Sequence, residues 1–255
     1  MGLKTMNWFK SKAMIIAAAQ TKPISGDIDG NILDHLRLMK LAADKNVDLI
    51  VFPELSLTGY QRALAASLSF STDDSRLDRL RQAAVDWQLV VVAGAPIKME
   101  DQLYIGAFIL YPDYTMSFYI KQFLHDGEEL FYQSSPDYNP IIEIGDERIA
   151  LAICADINHA QHPQQAKAAH ASLYAASIFY TPNGISEAYE LLSRYAKIYS
   201  MAVLMSNYTG SSWELAAGGC SAFWNNRGEL ISSRDASSAG LLLMQKDQGN
   251  WIDFS

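Results

Sequence analysis

Residues 149–153 read Ile-Ala-Leu-Ala-Ile and run straight into Cys154, Ala155 and Asp156. An apolar run this short has no polar face, so it fits a strand buried on both sides. Such strands belong to sheets covered by other layers, and they deliver functional groups where they end and loops begin. Residues 48–52, 89–95, 173–180 and 201–206 read as further strands, and 13–19 and 239–244 as the first and last. Between them lie positions of helical period: Ile32, Leu36, Met39 and Ala43 behind Asp29 as cap, then Leu77, Leu80, Ala84 and Trp87 opened by Thr72 or Asp73. Pro163 suits the first turn of a helix reaching about His170, and Ile185, Tyr189, Leu192, Ala196 and Tyr199 mark another. Residues 104–111 with 115–120, 141–144 with 148–153, and 218–224 with 229–232 read as hairpins. This order predicts an α/β chain with two sheets facing each other and helices outside.

Composition narrows the partners. The chain has 255 residues, 49% of them apolar, and no Pro/Gly/Ser-rich linker, which predicts one globular domain. A formal charge of −8 argues against a nucleic-acid partner, which needs a basic face. Two cysteines, Cys154 and Cys220, are too few for a disulfide scaffold and favour a reducing, cytoplasmic setting. Lys4, Lys10 and Lys12 before the apolar run 13–19 resemble a secretory signal, but the run is short and the fold continues from Gln20, so a first strand is the preferred reading. No stretch approaches the ~18 apolar residues of a membrane span.

Three chemically capable side chains stand at strand ends. Cys154 is either a small core residue or a nucleophile. Glu54, beside Val51, Phe52 and Leu55, is either an ion-paired loop carboxylate or a partly desolvated base. Lys121, between Ile120 and Gln122-Phe123, reads on its own as a surface lysine.

Together these residues carry a resemblance. Val51-Phe52-Pro53-Glu54-Leu55 with Thr58-Gly59-Tyr60, then Tyr119-Ile120-Lys121 with Leu124 and Gly127-Glu128-Glu129, then Ile153-Cys154-Ala155-Asp156 resemble, in order, three signatures of the nitrilase superfamily of carbon–nitrogen hydrolases. Gln20, and Gly219-Cys220-Ser221 before Gly228, also resemble family positions. The sequence departs from the family where Ala155 replaces a tyrosine, and where Asn158-His159-Ala160-Gln161 replaces an Arg-Phe-Pro-Glu run.

The resemblance implies a four-layer α-β-β-α sandwich over residues 13–255, preceded by an extension at 1–12. It implies hydrolysis of a small linear amide through a Cys154 thioester, with Glu54 as base, Lys121 as oxyanion stabiliser and Glu128, or else Glu129, as a second glutamate. Carbamoyl amines and nitriles are the alternative substrates, and a non-catalytic or redox-sensing homologue is the alternative of another class. Ala155, through its backbone N–H, Tyr60 and Asn183 are implied to face the substrate. No metal or organic cofactor is required. A homodimer or larger assembly is implied, with weak support from the aromatics Tyr189, Tyr195 and Tyr199 on several sides of one helix. Cys154, Asp156, His159, His162 and His170 also lie close in sequence, but not at a standard zinc spacing.

Overall fold

The computed structural model describes residues 13–254; the extension 1–12, with its three lysines, lies outside them. The elements run β1 (Ile15–Gln20), α1 (Ile28–Asp44), β2 (Leu49–Val51), α2 (Ala65–Leu68), α3 (Asp78–Asp86), β3 (Val90–Met99), β4 (Gln102–Leu110) and β5 (Met116–Ile120). The second part holds β6 (Ile142–Ile144), β7 (Glu147–Ile153), α4 (Gln161–Ala168), β8 (Leu173–Ser177), α5 (Ile185–Tyr199), β9 (Ala202–Ser206), β10 (Ser211–Ser212), β11 (Leu215–Ala216), β12 (Ala222–Trp224), β13 (Leu230–Ser233), β14 (Gly240–Asp247) and β15 (Asn250–Asp253).

Two large sheets form, ordered β15-β14-β1-β2-β3-β4-β5 and β13-β12-β9-β8-β7-β6. Each has a parallel centre, β1-β2-β3 in one and β7-β8-β9 in the other, flanked by antiparallel strands. The alternation of side chains along a strand explains why the central runs are apolar throughout. In β7, Ile149, Leu151 and Ile153 join a core shared with the other sheet, while Ala150 and Ala152 face the core beneath α4 and α5. In β1, Ile16 and Ala18 point to the shared core, and Ile15, Ala17 and Ala19 to the core beneath α1 and α3. Large residues fill the gap between the sheets, and alanines on β7 let the outer helices approach. The result is the four-layer α-β-β-α sandwich.

Hydroxyls of the second sheet tie the strand ends together across the shared core. Ser177 Oγ donates to the carbonyl of Phe52 at 2.8 Å and Ser206 Oγ to that of Ala19 at 2.7 Å. Tyr208 OH donates to the carbonyl of Glu54. Each gives a buried backbone carbonyl a hydrogen-bond donor from the other sheet's side of the core.

Several boundaries differ from the sequence reading. Asp27, not Asp29, caps α1, because its carboxylate reaches the Gly30 N–H at 2.9 Å. Asp74, not Thr72 or Asp73, caps a 3₁₀ turn at Ser75–Leu77 that leads into α3. The strand read over 173–180 stops at Ser177, since Asn207 Oδ1 captures the Tyr180 N–H at 2.9 Å outside the sheet. The last strand is β15, beyond the segment read as final. Among the described residues, no helix is long and apolar enough to cross a membrane.

Candidate active site

The sharp ends of β2, β5 and β7 converge on one cavity of about 350 Å³. Glu54 stands just past β2, on a turn whose next residue, Leu55, has φ of +52°. Gly94 of β3 makes that turn possible: a Cβ there would lie 2.4 Å from the Leu55 nitrogen and 2.6 Å from the Pro53 carbonyl oxygen. Lys121 directly follows β5. Cys154 directly follows β7 and has φ of +43°, a left-handed conformation rare for a side-chain-bearing residue. Strain of this kind concentrates where a surrounding structure holds a functional group in place.

Lys121 is completely buried, which demands charged partners. Its Nζ donates to Glu54 Oε1 at 2.7 Å and to Glu128 Oε1 and Oε2 at 3.0 and 2.9 Å. Glu128 is held in turn by the phenol of Tyr60, donating at 2.6 Å, and by the His125 N–H at 2.8 Å. Arg62 completes the chain: Nη2 and Nε donate to Tyr60 OH at 2.7 and 2.9 Å, and the guanidinium stacks 4.5 Å from the Trp213 ring centroid. Glu129 is exposed, so of the two glutamates only Glu128 enters the site. The surface reading of Lys121, drawn from its neighbours in sequence, does not hold, because its partners come from residue 54 and from the next loop.

The electrostatics follow from burial. Desolvation raises the Glu54 carboxyl to about 7, with Lys121 pulling the other way. Its second oxygen, Oε2, is buried without a hydrogen-bond partner. Cys154 is 8% exposed, and its thiol is pushed well up, first by desolvation and then by the charge of Glu54. Burial also works against the Lys121 ammonium, but Glu54, Cys154 and Glu128 outweigh it and hold the amine protonated. Glu128 is held below the usual carboxylate range: burial opposes ionisation, and Lys121 and Tyr60 overcome it. The arrangement is a thiol held protonated by burial, beside a carboxyl raised by desolvation and a fixed cation.

Asp156 joins two of these segments. Its Oδ1 accepts the N–H groups of Gln122 and Phe123 at 3.0 and 2.9 Å, directly after Lys121. Its Oδ2 accepts the Ile153 N–H at 2.8 Å, directly before Cys154, and the Tyr119 phenol at 2.6 Å. One carboxylate thereby ties the end of β5 in one sheet to the end of β7 in the other. Motif spacing pointed to Asp156 without indicating this clip, and nothing in the sequence marked Arg62.

The cavity walls carry Tyr60, Arg62, His125, Asn158, Phe179, Tyr180, Thr181, Glu187, Leu191 and Trp213. Tyr60, which the resemblance implies faces the substrate, lines this cavity. Ala155 is buried in the Cys154 turn without lining the cavity by its side chain. Asn183 is exposed and does not line it; its loop contributes Thr181 and Gly184, because the 3₁₀ turn Pro182–Gly184 rotates Asn183 outward. Among the described residues no group of histidine, cysteine and carboxylate side chains is placed to hold a metal ion. His159 stacks on Phe123, His162 lies between two tyrosines, and His170 lies two residues past α4 with φ of +59°.

The sandwich matches solved structures. An amidase from Nesterenkonia sp. aligns with a TM-score of 0.84 at 21% identity, covering 93% of this chain and 91% of that one. A cysteine-to-alanine mutant of an amidase from Nesterenkonia sp. AN1, in complex with butyramide, aligns with a TM-score of 0.84 at 21% identity, over 91% of this chain and 90% of its own. Among curated proteins, a glutamine-dependent NAD(+) synthetase from Thermotoga maritima is 26% identical over 239 residues, 87% of this chain and 40% of that protein. One from Mycobacterium leprae is 27% identical over 261 residues, 90% of this chain and 38% of that protein. The chain thus spans about two-fifths of the length of these curated relatives. The carbon–nitrogen hydrolase family model matches residues 15–254, every strand and helix among the described residues included, and on that match the chain belongs to the carbon–nitrogen hydrolases of the nitrilase superfamily.

Proposed function

We propose that the protein hydrolyses a primary carboxamide to the carboxylic acid and ammonia through a thioester on Cys154. The observation that carries this is the buried Lys121 ammonium, shared between Glu54 and Glu128, two carboxylates that line one cavity together with Cys154. Breaking an unactivated amide needs a nucleophile, a proton carrier and a charge for the oxyanion, and these residues supply all three. The Cys154 sulfur adds to the carbonyl carbon as Glu54 accepts the thiol proton. Lys121 and the Ala155 backbone N–H take up the oxyanion. The tetrahedral adduct collapses, the C–N bond breaks, and Glu54 returns the proton to the leaving ammonia. Water, deprotonated by Glu54, then attacks the thioester and releases the acid and the thiol. Glu128 keeps Lys121 in place and balances its charge.

A raised Glu54 suits this role, since a base titrating near the working pH both accepts and returns a proton readily. The raised Cys154 thiol requires the base to act in the same step as attack. It also argues against a redox sensor, whose cysteine is exposed and of low pKa. The choice of a primary amide draws on two relatives: one is named for its dependence on glutamine, and the other was solved with butyramide. Both compounds carry the same –CONH₂ group.

Ammonia release from primary amides, N-carbamoyl amines and nitriles tests the reading. Turnover is expected on the amides. Cys154→Ala should abolish it with the far-ultraviolet circular dichroism unchanged. Activity of that variant within about tenfold of the parent removes the nucleophile assignment, and turnover confined to carbamoyl amines or nitriles redirects the substrate class.

A further inference from the structure

Behind Asp156 runs a chain of hydrogen bonds that leads away from the cavity. Tyr119 OH lies 2.6 Å from Asp156 Oδ2 and 2.8 Å from His162 Nε2. His162 Nδ1 lies 2.8 Å from Tyr174 OH. All four residues are buried, so each polar atom must be satisfied within the chain itself.

The direction of the chain follows from the donors available. A phenol has one hydrogen, and Asp156 already accepts three N–H groups, so the Tyr119 hydrogen goes to the carboxylate. His162 Nε2 then faces a phenol oxygen whose hydrogen is committed elsewhere, and must itself carry a proton. Burial keeps the ring neutral; it outweighs the pull of Asp156, and His159 adds to it. Nδ1 is therefore a bare acceptor, matched by the Tyr174 hydroxyl. The order is Tyr174 to His162 to Tyr119 to Asp156, every member donating toward the carboxylate.

We propose that His162 is a positioning residue: as a neutral imidazole with its proton on Nε2, it orients Tyr119 and, through Tyr119, the Asp156 carboxylate that fixes Lys121 relative to Cys154. The proposal rests on the reading of Cys154 and Lys121 given above. Four parts of the fold meet in it. Tyr119 comes from β5, Asp156 from the Cys154 turn, His162 from the first turn of α4, and Tyr174 from the outward face of β8. The helix thus gains a polar hold on both sheets at the one end where their separation matters. His162 lies just beyond the segment in which the sequence departs from its family.

His162→Phe keeps a ring of similar size and removes both polar contacts. His162→Gln retains an acceptor for Tyr174 and a donor for Tyr119. For the phenylalanine variant, kcat on a primary amide should fall about tenfold or more, with KM within about twofold of the parent, as expected when reacting groups are misplaced and the binding walls are not. Alkylation of Cys154 by iodoacetamide should slow by a similar factor, because Lys121 no longer sits where it favours the thiolate. The glutamine variant should recover most of both rates. A folded phenylalanine variant with kcat and alkylation within about twofold of the parent overturns the proposal. So does a glutamine variant as slow as the phenylalanine one, since packing alone then explains the loss. Should His162→Phe not fold, Tyr174→Phe carries the test: a several-fold loss of kcat supports the proposal and an unchanged kcat overturns it. A parent that turns over no amide defeats the proposed function instead, and alkylation, which needs no substrate, then decides the role of His162.

Discussion

At the scale of single residues, Glu54 and Lys121 are bound to each other yet do separable work. Only the ionised carboxylate can accept the Cys154 proton. With Glu54 raised to about 7, the ionised fraction falls about tenfold for each pH unit below that value. The profile of kcat/KM should therefore rise with pH and level off above about 7. A flat profile down to pH 5 would show that Glu54 is not the base. Lys121→Met keeps the stem and removes the charge. Loss of one oxyanion donor costs about 10²–10³-fold in kcat. The Cys154 thiol, already raised by burial and by Glu54, loses the Lys121 charge that pulls it down and should rise further. Iodoacetamide alkylation at neutral pH should slow with it. Unchanged turnover and alkylation in this variant would leave the buried ammonium a purely structural charge. None of this was visible around Lys121 itself. A lysine beside Ile120 and Phe123 reads as a surface residue until Glu54 and Glu128, far apart in sequence, are seen to need a common cation.

At the scale of elements, the site depends on how closely strands approach each other's turns. Gly94 is the sharpest case. Its Cα faces the peptide that carries Glu54, and a methyl group would meet backbone atoms at 2.4 and 2.6 Å, which cannot swing aside like the tip of a side chain. Gly94→Ala should displace the Glu54 turn, destabilise the protein by about 1–3 kcal/mol and cut kcat more than it raises KM. A thermal melt together with steady-state kinetics checks both; parent-like kinetics would mean that the turn relaxes without moving Glu54. Elements were legible where periodicity was strong. The central strands and α5 could be read because every residue or every third and fourth residue is apolar. β15 was missed because it buries only Trp251, and the β10–β11 hairpin because Trp213 and Glu214 occupy the two left-handed turn positions where Asn-Gly is the usual signal. The cap of α1 was misplaced by two residues because Asp27 and Asp29 are equally good caps until the direction of the incoming loop is known.

At the scale of the whole molecule, a shared core holds the two sheets together, but the outer surface leaves a question of assembly. The sequence argument for a dimer leaned on the tyrosines of α5, and their hydroxyls are used within the chain. Tyr189 donates to the Cys220 carbonyl at 2.7 Å, Tyr195 to that of Ile157 at 2.9 Å and Tyr199 to that of Ala160 at 3.4 Å. Their rings pack in the core under α5 or against it rather than forming an outward face. What α5 does present is Ile198, 61% exposed, near the end of a helix whose first half lines the cavity through Glu187, Ala188 and Leu191. Pairing through α5 would bury that isoleucine and place a partner beside the cavity wall. A stable pair needs about 800 Å² buried on each chain, far more than one side chain supplies, so the whole helix face must take part. Light scattering at micromolar concentration should then give twice the mass of one chain. Ile198→Asp, which puts a charge inside the contact, should return it to the mass of a single chain without changing the circular dichroism. A parent of single-chain mass ends the expectation of a dimer, and a dimer indifferent to Ile198→Asp places the contact on another face.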